Sequence, residues 1–127
     1  MKNNRLFLKC AICGNLIGMI EDTNTPLHCC GKEMTQLIPN TTDGAREKHI
    51  PVAVRKDSGI EVRVGSVPHP MLKEHHISWI ALAGEGWTQR VSLENADQAI
   101  AFFKTDDDGK ISVYEYCNLH GLWASEL

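Results

Sequence analysis

Nine of the eleven cysteines and histidines of this chain, side chains that bind transition metals well, sort by spacing into two sets. One set is all sulfur: Cys10-Ala11-Ile12-Cys13-Gly14, followed by the adjacent pair Cys29-Cys30 and Gly31. The other mixes imidazole with a lone distant thiol: His49, His69 and His75, then Cys117 and His120 in Cys117-Asn118-Leu119-His120-Gly121. Four thiolates suit a tetrahedral ion, either zinc or iron. One thiolate and four imidazoles converging on a point would leave one coordination position open and would suit a redox-active ion. Two metal sites of different chemistry in one short chain point to electron handling.

Each set has a bland reading that its context must outweigh. The two-residue spacer between Cys10 and Cys13 lets both sulfurs reach one ion from a tight turn, with Gly14 free to adopt a conformation that strains other residues. That spacing signals a metal without saying which, and a structural zinc knuckle would also use it. Most zinc ribbons repeat the spacer in their second half, whereas adjacent cysteines force an unusual sulfur–metal–sulfur angle. A single histidine is more often a surface or hydrogen-bonded residue than a ligand. Here His49 lies in Glu47-Lys48-His49-Ile50-Pro51 at the start of a strand, and His69 sits rigidly between Pro68 and Pro70. His75 leads into the apolar run Ile77 to Leu82, and Cys117 and His120 can ligate from one turn. His28 and His76 receive no role, since side chains adjacent along an extended strand point opposite ways.

The elements that must position these groups read as strands. Before Pro39-Asn40-Thr41-Thr42-Asp43-Gly44, a turn-forming stretch, lies a cysteine-dense segment too short to fold without a staple. Leu6-Phe7-Leu8 and Leu16 to Ile20 flank its first cysteine pair, as in a metal-pinned hairpin. Beyond Gly44 the pattern has period two: Ile60, Val62 and Val64 alternate with Glu61, Arg63 and Gly65, and Ile111 and Val113 alternate with Ser112 and Tyr114. Further runs cover 51–54, 77–82, 87–93 and 99–103, separated by Asp57-Ser58-Gly59, Gly84-Glu85-Gly86 and Asp106-Asp107-Asp108-Gly109. Short strands with turn punctuation predict an all-β antiparallel sandwich. The stretch 94–99 could form one helical turn. The Asp106 to Gly109 run lacks the remaining positions of a calcium loop and reads as a solvated turn.

Composition narrows the class further. The formal charge of −3 and the absence of a basic run argue against nucleic-acid binding. Met1-Lys2-Asn3-Asn4-Arg5 leads into an apolar patch broken at Lys9, too short for a signal-peptide core. The expected compartment is the cytoplasm, where five cysteines favour metal ligation over disulfides.

Residues 5 to 37, with all four cysteine positions filled, resemble desulforedoxin, whose Cys-x-x-Cys and Cys-Cys ligands hold one distorted-tetrahedral iron. Glu47-Lys48-His49, Val67-Pro68-His69-Pro70-Met71, His75-x-Ile77-x-Trp79-Ile80 and Cys117-Asn118-Leu119-His120-Gly121-Leu122-Trp123 together resemble the superoxide reductase (desulfoferrodoxin, neelaredoxin) family. The two resemblances follow one another in the order of the two-iron members. They imply a desulforedoxin-like metal-knuckle domain over 1–37 and an immunoglobulin-like β-sandwich over 38–127. They also imply iron centre I on Cys10, Cys13, Cys29 and Cys30, and iron centre II on His49, His69, His75, Cys117 and His120. The implied activity is one-electron reduction of superoxide to hydrogen peroxide at a ferrous His4Cys site, without release of dioxygen. Lys48 would attract the anion, and Glu47 would occupy the sixth position in the resting ferric state. Rubredoxin or a similar small protein would be the electron donor, and a homodimer is expected. His76 stands where the family often has an aromatic residue, and 84–109 carries no aligned motif. Two other readings compete: a non-enzymatic electron carrier, and a structural module with zinc in both sites.

Overall fold

The computed structural model describes residues 5–127, so the N-terminal reading at Met1 to Asn4 lies outside the described residues. The chain divides into two compact units, one ending at Ile38 and the other running Pro39–Leu127.

The first unit is built from very short strands. β1 (Phe7–Lys9) pairs antiparallel with β2 (Leu16–Gly18), and the turn between them carries Cys10 and Cys13. β3 (His28–Cys29) and β4 (Lys32–Glu33) form a second hairpin whose turn holds Cys30 and Gly31. β5 (Thr35–Gln36) returns to the free side of β1. Buried Leu8, Cys10 and Met34, with Ile17, Met19, Leu27 and Cys29 against them, make up the small apolar centre. Such a core supplies too little burial for independent stability, and the cysteine set takes the place of a larger one.

The second unit is a sandwich of two antiparallel sheets. After one helical turn, α1 (Arg46–His49), the three-stranded sheet is formed by β6 (Pro51–Lys56), β7 (Gly59–Val64) and β10 (Ile100–Lys104) in the order β10-β7-β6. The four-stranded sheet contains β8 (Ile77–Gly84), β9 (Trp87–Ser92), β11 (Ser112–Cys117) and β12 (Gly121–Glu126), in the order β12-β11-β8-β9. Alternation decides which residues meet between the sheets: Ile60, Val62, Val64, Ala101 and Phe103 face Ile80, Leu82, Val113 and Cys117. Opposite the end of β11 the register shifts, so that Tyr116 pairs with Trp79 but Cys117 pairs with Ile77. The extra residue, Ser78, is a β-bulge that lets Ile77 turn inward beside Cys117.

Three local expectations change. The His49 segment is a helical turn rather than the plain start of a strand, and four residues are too few to show a helical period. The stretch 94–99 forms no helix; its one backbone closure here is Ala96 N–H to Leu93 O. The Asp106 to Gly109 turn is more than solvated. Asp107 accepts from the Trp87 indole (2.6 Å) and from Gly109 N–H (2.8 Å), and both bonds hold its carboxyl below the usual range.

One residue breaks the core pattern. Glu115 lies on β11 between Val113 and Cys117, fully buried, with neither carboxylate oxygen hydrogen-bonded among the described residues. Burial alone pushes its pKa up to about 9, so it is a neutral acid at neutral pH.

Candidate metal centres

The four sulfurs come together because both turns that carry them use left-handed backbone. Gly14 (φ 83°) lets the chain turn back after Cys13, with Cys10 C=O accepting from Gly14 N–H. Cys30 (φ 55°) and Gly31 (φ 75°) turn the second hairpin so that two consecutive thiols face the same point. The sulfur atoms all lie within 4.8 Å of one another, with Cys13 and Cys29 3.6 Å apart and Cys29 and Cys30 4.0 Å apart. Thiolates about 2.3 Å from one tetrahedral ion sit roughly 3.8 Å from each other, so the spacing fits a single ion. Charge makes the same demand. N–H groups of Cys13 and Ile12, each 3.4 Å from Cys10 Sγ, lower that thiol to about 6. Its neighbours respond oppositely: crowding by the other sulfurs pushes Cys30 up to about 12 and also raises Cys29. Four thiolates can coexist here only around a cation.

The second cluster gathers residues from α1, from the loop that crosses between the sheets and from one end of the four-stranded sheet. α1 delivers His49, the loop between β7 and β8 delivers His69 and His75, the end of β11 delivers Cys117, and the following turn delivers His120. Neighbouring rings meet edge to face around a closed circuit: His49–His69 at 4.8 Å, His69–His75 at 4.6 Å, His75–His120 at 5.1 Å and His120–His49 at 4.8 Å between centroids. His49 and His75 lie across the circuit at 6.4 Å. Ligand atoms of His49, His69, His75 and Cys117 all fall within 4.8 Å of one another. His120 joins through Nδ1, 3.1 Å from His49 Nε2 and 3.8 Å from Cys117 Sγ. In a turn only three residues past Cys117, this is the ring nitrogen nearer the backbone that points inward.

Hydrogen bonds outside the cluster decide which nitrogens are free. His49 Nδ1 donates to Ala45 O and His69 Nδ1 donates to Pro70 O, each at 2.7 Å. A carbonyl can only accept, so both protons sit on Nδ1 and both Nε2 lone pairs point inward, 3.3 Å apart. His75 Nε2 is buried with no hydrogen-bond partner among the described residues. Inward ring nitrogens crowded together, with one of them orphaned among the described residues, fit a bound cation. Burial holds His49, His69 and His75 below the ordinary imidazole range, His69 at about 4, so all three are neutral and able to ligate near pH 7. Cys117 differs, because burial raises its thiol despite N–H bonds from His120 and Leu119. It would lose its proton as metal binds.

Supporting contacts fix the His49 side. Trp123 stacks on His49 at 4.9 Å and 25°, and its indole N–H donates to His120 O, as does the Thr42 hydroxyl. Gly44 lies against both rings of that stack: a Cβ there would come 3.1 Å from Trp123 and 3.3 Å from His49. Gly65 makes room on the other side. A Cβ would stand 2.7 Å from Glu47 O and 2.9 Å from Ile50 O, so only glycine lets α1 sit against the end of β7.

Glu47 and Lys48 are both exposed on α1. Lys48 is among the positive charges that lower His49 and His75, after burial itself. The Glu47 backbone is tied down by Val67 N–H (2.9 Å) and the Ser66 hydroxyl (3.2 Å), but its carboxylate has no hydrogen bond among the described residues. His28 is exposed, and His76 turns its Nδ1 to Leu72 O and Lys73 O, away from the cluster. The carbonyl partners Ala45 and Pro70 escape any reading by residue type, since every residue has a carbonyl.

Comparison with known proteins agrees along the whole chain. Residues 41–126 match the desulfoferrodoxin family and residues 3–37 match the desulfoferrodoxin N-terminal domain. A desulfoferrodoxin from Syntrophotalea carbinolica is 47% identical over 118 residues, covering 93% of each chain. Another from Nitratidesulfovibrio vulgaris is 40% identical over 126 residues, covering 99% of each. The crystal structure of the superoxide reductase from Treponema pallidum superposes with a TM-score of 0.74 at 32% identity, covering 93% of this chain and 98% of that one. With two matched domains in order and close relatives end to end, the chain belongs to the desulfoferrodoxin family.

Proposed function

We propose that this protein is a two-iron superoxide reductase, reducing superoxide by one electron to hydrogen peroxide without releasing dioxygen, in defence against oxidative stress. One observation carries the reading: four imidazole nitrogens and one buried thiol converge on a single point, with His75 Nε2 left unpartnered. Structural zinc takes four ligands and closes its shell, so a fifth donor argues for an ion with a further position to offer. The Treponema pallidum superoxide reductase supports the same reading.

The ligands of iron centre I are assigned to Cys10, Cys13, Cys29 and Cys30, and those of iron centre II to His49, His69, His75, Cys117 and His120. Residues 1–37 are taken as the desulforedoxin-like iron-binding domain and 38–127 as the superoxide reductase domain. The division after Ile38 and the separate family matches support that boundary. Iron held at centre II would supply the transferable electron and a position for a small anion. The chain supplies the rest. Three neutral imidazoles and the Cys117 thiolate keep the electron-donating set in place. Lys48 draws in the substrate: superoxide is an anion, the chain carries −3 overall, and local positive charge must direct it. Glu47, on the same turn, would be the carboxylate available to occupy that position in the resting oxidised state. The half-buried His75 and His120 mark the side from which water delivers the two protons of hydrogen peroxide.

The electron donor is assigned to rubredoxin or a similar small redox protein, and the assembly to a homodimer. Cytoplasmic operation is assigned as well, and five cysteines free of disulfides support it. Among the described residues no helix is long and apolar enough to cross a membrane. Iron content and visible spectra, followed by a pulse of superoxide, test the function. The expected result is two irons per chain, separate sulfur-to-iron absorption from each centre, and peroxide formed without dioxygen. A colourless zinc protein, or an iron protein inert to superoxide, would refute it.

A further inference from the structure

The four histidines of the second cluster are not held alike. His49 and His69 each have a ring N–H fixed by a carbonyl, and His120 is locked in its turn by its own N–H to Cys117 Sγ (3.4 Å) and by two donors to its carbonyl. His75 has no ring hydrogen bond among the described residues, and its Nε2 is orphaned. Its neighbours' rings pack against it, but no hydrogen bond sets its orientation, which leaves that to the backbone that carries it. That backbone is a small turn in which Leu72 and His75 exchange N–H···O=C bonds of 2.9 and 3.2 Å.

Asn118 grips this turn on both sides of His75. Its Nδ2 donates to Glu74 O (3.0 Å), its Oδ1 accepts from His76 N–H (2.8 Å), and its own N–H donates to His76 O (3.1 Å). Asn118 is also bonded covalently to Cys117. One exposed side chain therefore ties the peptides flanking one histidine to the residue next to the thiol.

We propose that Asn118 is a positioning residue of the His/Cys centre, fixing His75 relative to Cys117 in place of the ring hydrogen bond that His75 lacks. The inference rests on the metal-binding reading of that cluster. Asparagine suits the task because one short side chain must both donate and accept. Aspartate keeps the acceptor for His76 N–H but loses the donor and sets a charge against Glu74 O; alanine loses both.

The test uses the full-length, iron-loaded protein carrying Asn118→Ala or Asn118→Asp. Three quantities are read: iron release to a ferrous chelator, the energy of the Cys117-to-iron absorption band, and the melting temperature. The four-sulfur centre, which belongs to the other unit, serves as internal control. Losing a group that orients a ligand typically costs 10–100-fold in metal affinity. Asn118→Ala is expected to release iron from the His/Cys centre about 10–100-fold faster with a shifted band, and Asn118→Asp to fall between it and the parent. Wild-type release and an unshifted band in either variant overturn the proposal, even with a lowered melting temperature, since that pattern is a merely structural role. Should Asn118→Ala fail to fold, Asn118→Asp decides by the same criterion. A parent protein that takes up no iron at this cluster overturns the underlying reading, and the inference with it.

Discussion

Replacing Glu115 by glutamine should make the protein more stable, by an amount that grows with pH. The Glu115 carboxyl is fully buried without a hydrogen-bond partner, and it holds its proton to about pH 9 instead of the ordinary 4.5. Below about pH 4.5 the group is protonated whether the chain is folded or not, and its titration costs nothing. As pH rises from there toward 9 the unfolded chain ionises while the folded one must stay neutral. The folded state then binds the extra proton, so stability falls with rising pH throughout that window. Each pH unit is worth about 1.4 kcal/mol, so by pH 7.5 the acid has forgone about 4 kcal/mol, a large share of a typical domain's stability. Glutamine fills the same space and never ionises. Its buried amide carries a roughly constant desolvation cost of about 1–3 kcal/mol, which shifts the intercept but not the slope. Denaturant unfolding of both proteins between pH 5.5 and 8.5 provides the assay, and their difference cancels the metal ligands common to both. A difference that widens by about 1.4 kcal/mol per pH unit is expected; parallel stability curves would refute the reasoning.

Three further outcomes are expected. Gly65→Ala forces the Glu47 and Ile50 carbonyls off a Cβ that would otherwise stand 2.7 and 2.9 Å away. It should cost about 1–3 kcal/mol and lower iron occupancy at the His49 cluster, and full occupancy with an unchanged melting temperature would contradict the crowding. Lys48→Ile should slow superoxide capture about tenfold at low ionic strength, with the gap closing as salt is added. Equal rates in pulse-generated superoxide would remove Lys48 from the reaction. Cys117→Ser should abolish the thiolate-to-iron band of the second centre while the four-sulfur absorption persists; survival of both bands would place the ligating thiolate of that centre elsewhere.

Much of the sandwich was legible because buried strands must alternate. Ile60, Val62 and Val64 announced β7, and the glycine and aspartate clusters marked its neighbours' turns. Even Glu115 was on view in part, since the alternation that buries Ile111 and Val113 carries inward through 115 to Cys117. Charge argued the other way, and the pleat won. The α1 turn was hidden because four residues hold barely one helical period. The ring circuit itself could not be read, because which nitrogen faces inward depends on the carbonyls of Ala45 and Pro70. Asn118 stood plainly in the Cys-Asn-Leu-His motif, but its grip on Glu74 and His76 needs the turn between β7 and β8 to be folded first.

The two ligand sets also differ in how far along the chain they reach. The four sulfurs lie between Cys10 and Cys30 on neighbouring hairpins, whereas the second set runs from His49 to His120, beside the last strand. During synthesis the first metal can be captured as soon as a short N-terminal stretch has left the ribosome, since closing so small a loop costs little entropy. The second site does not exist until β12 has paired with β11 and brought the His120 turn into place. A metal held there would thus certify completed folding: a truncated or misassembled chain could carry the sulfur-bound metal yet would lack the site that offers a position to a small anion.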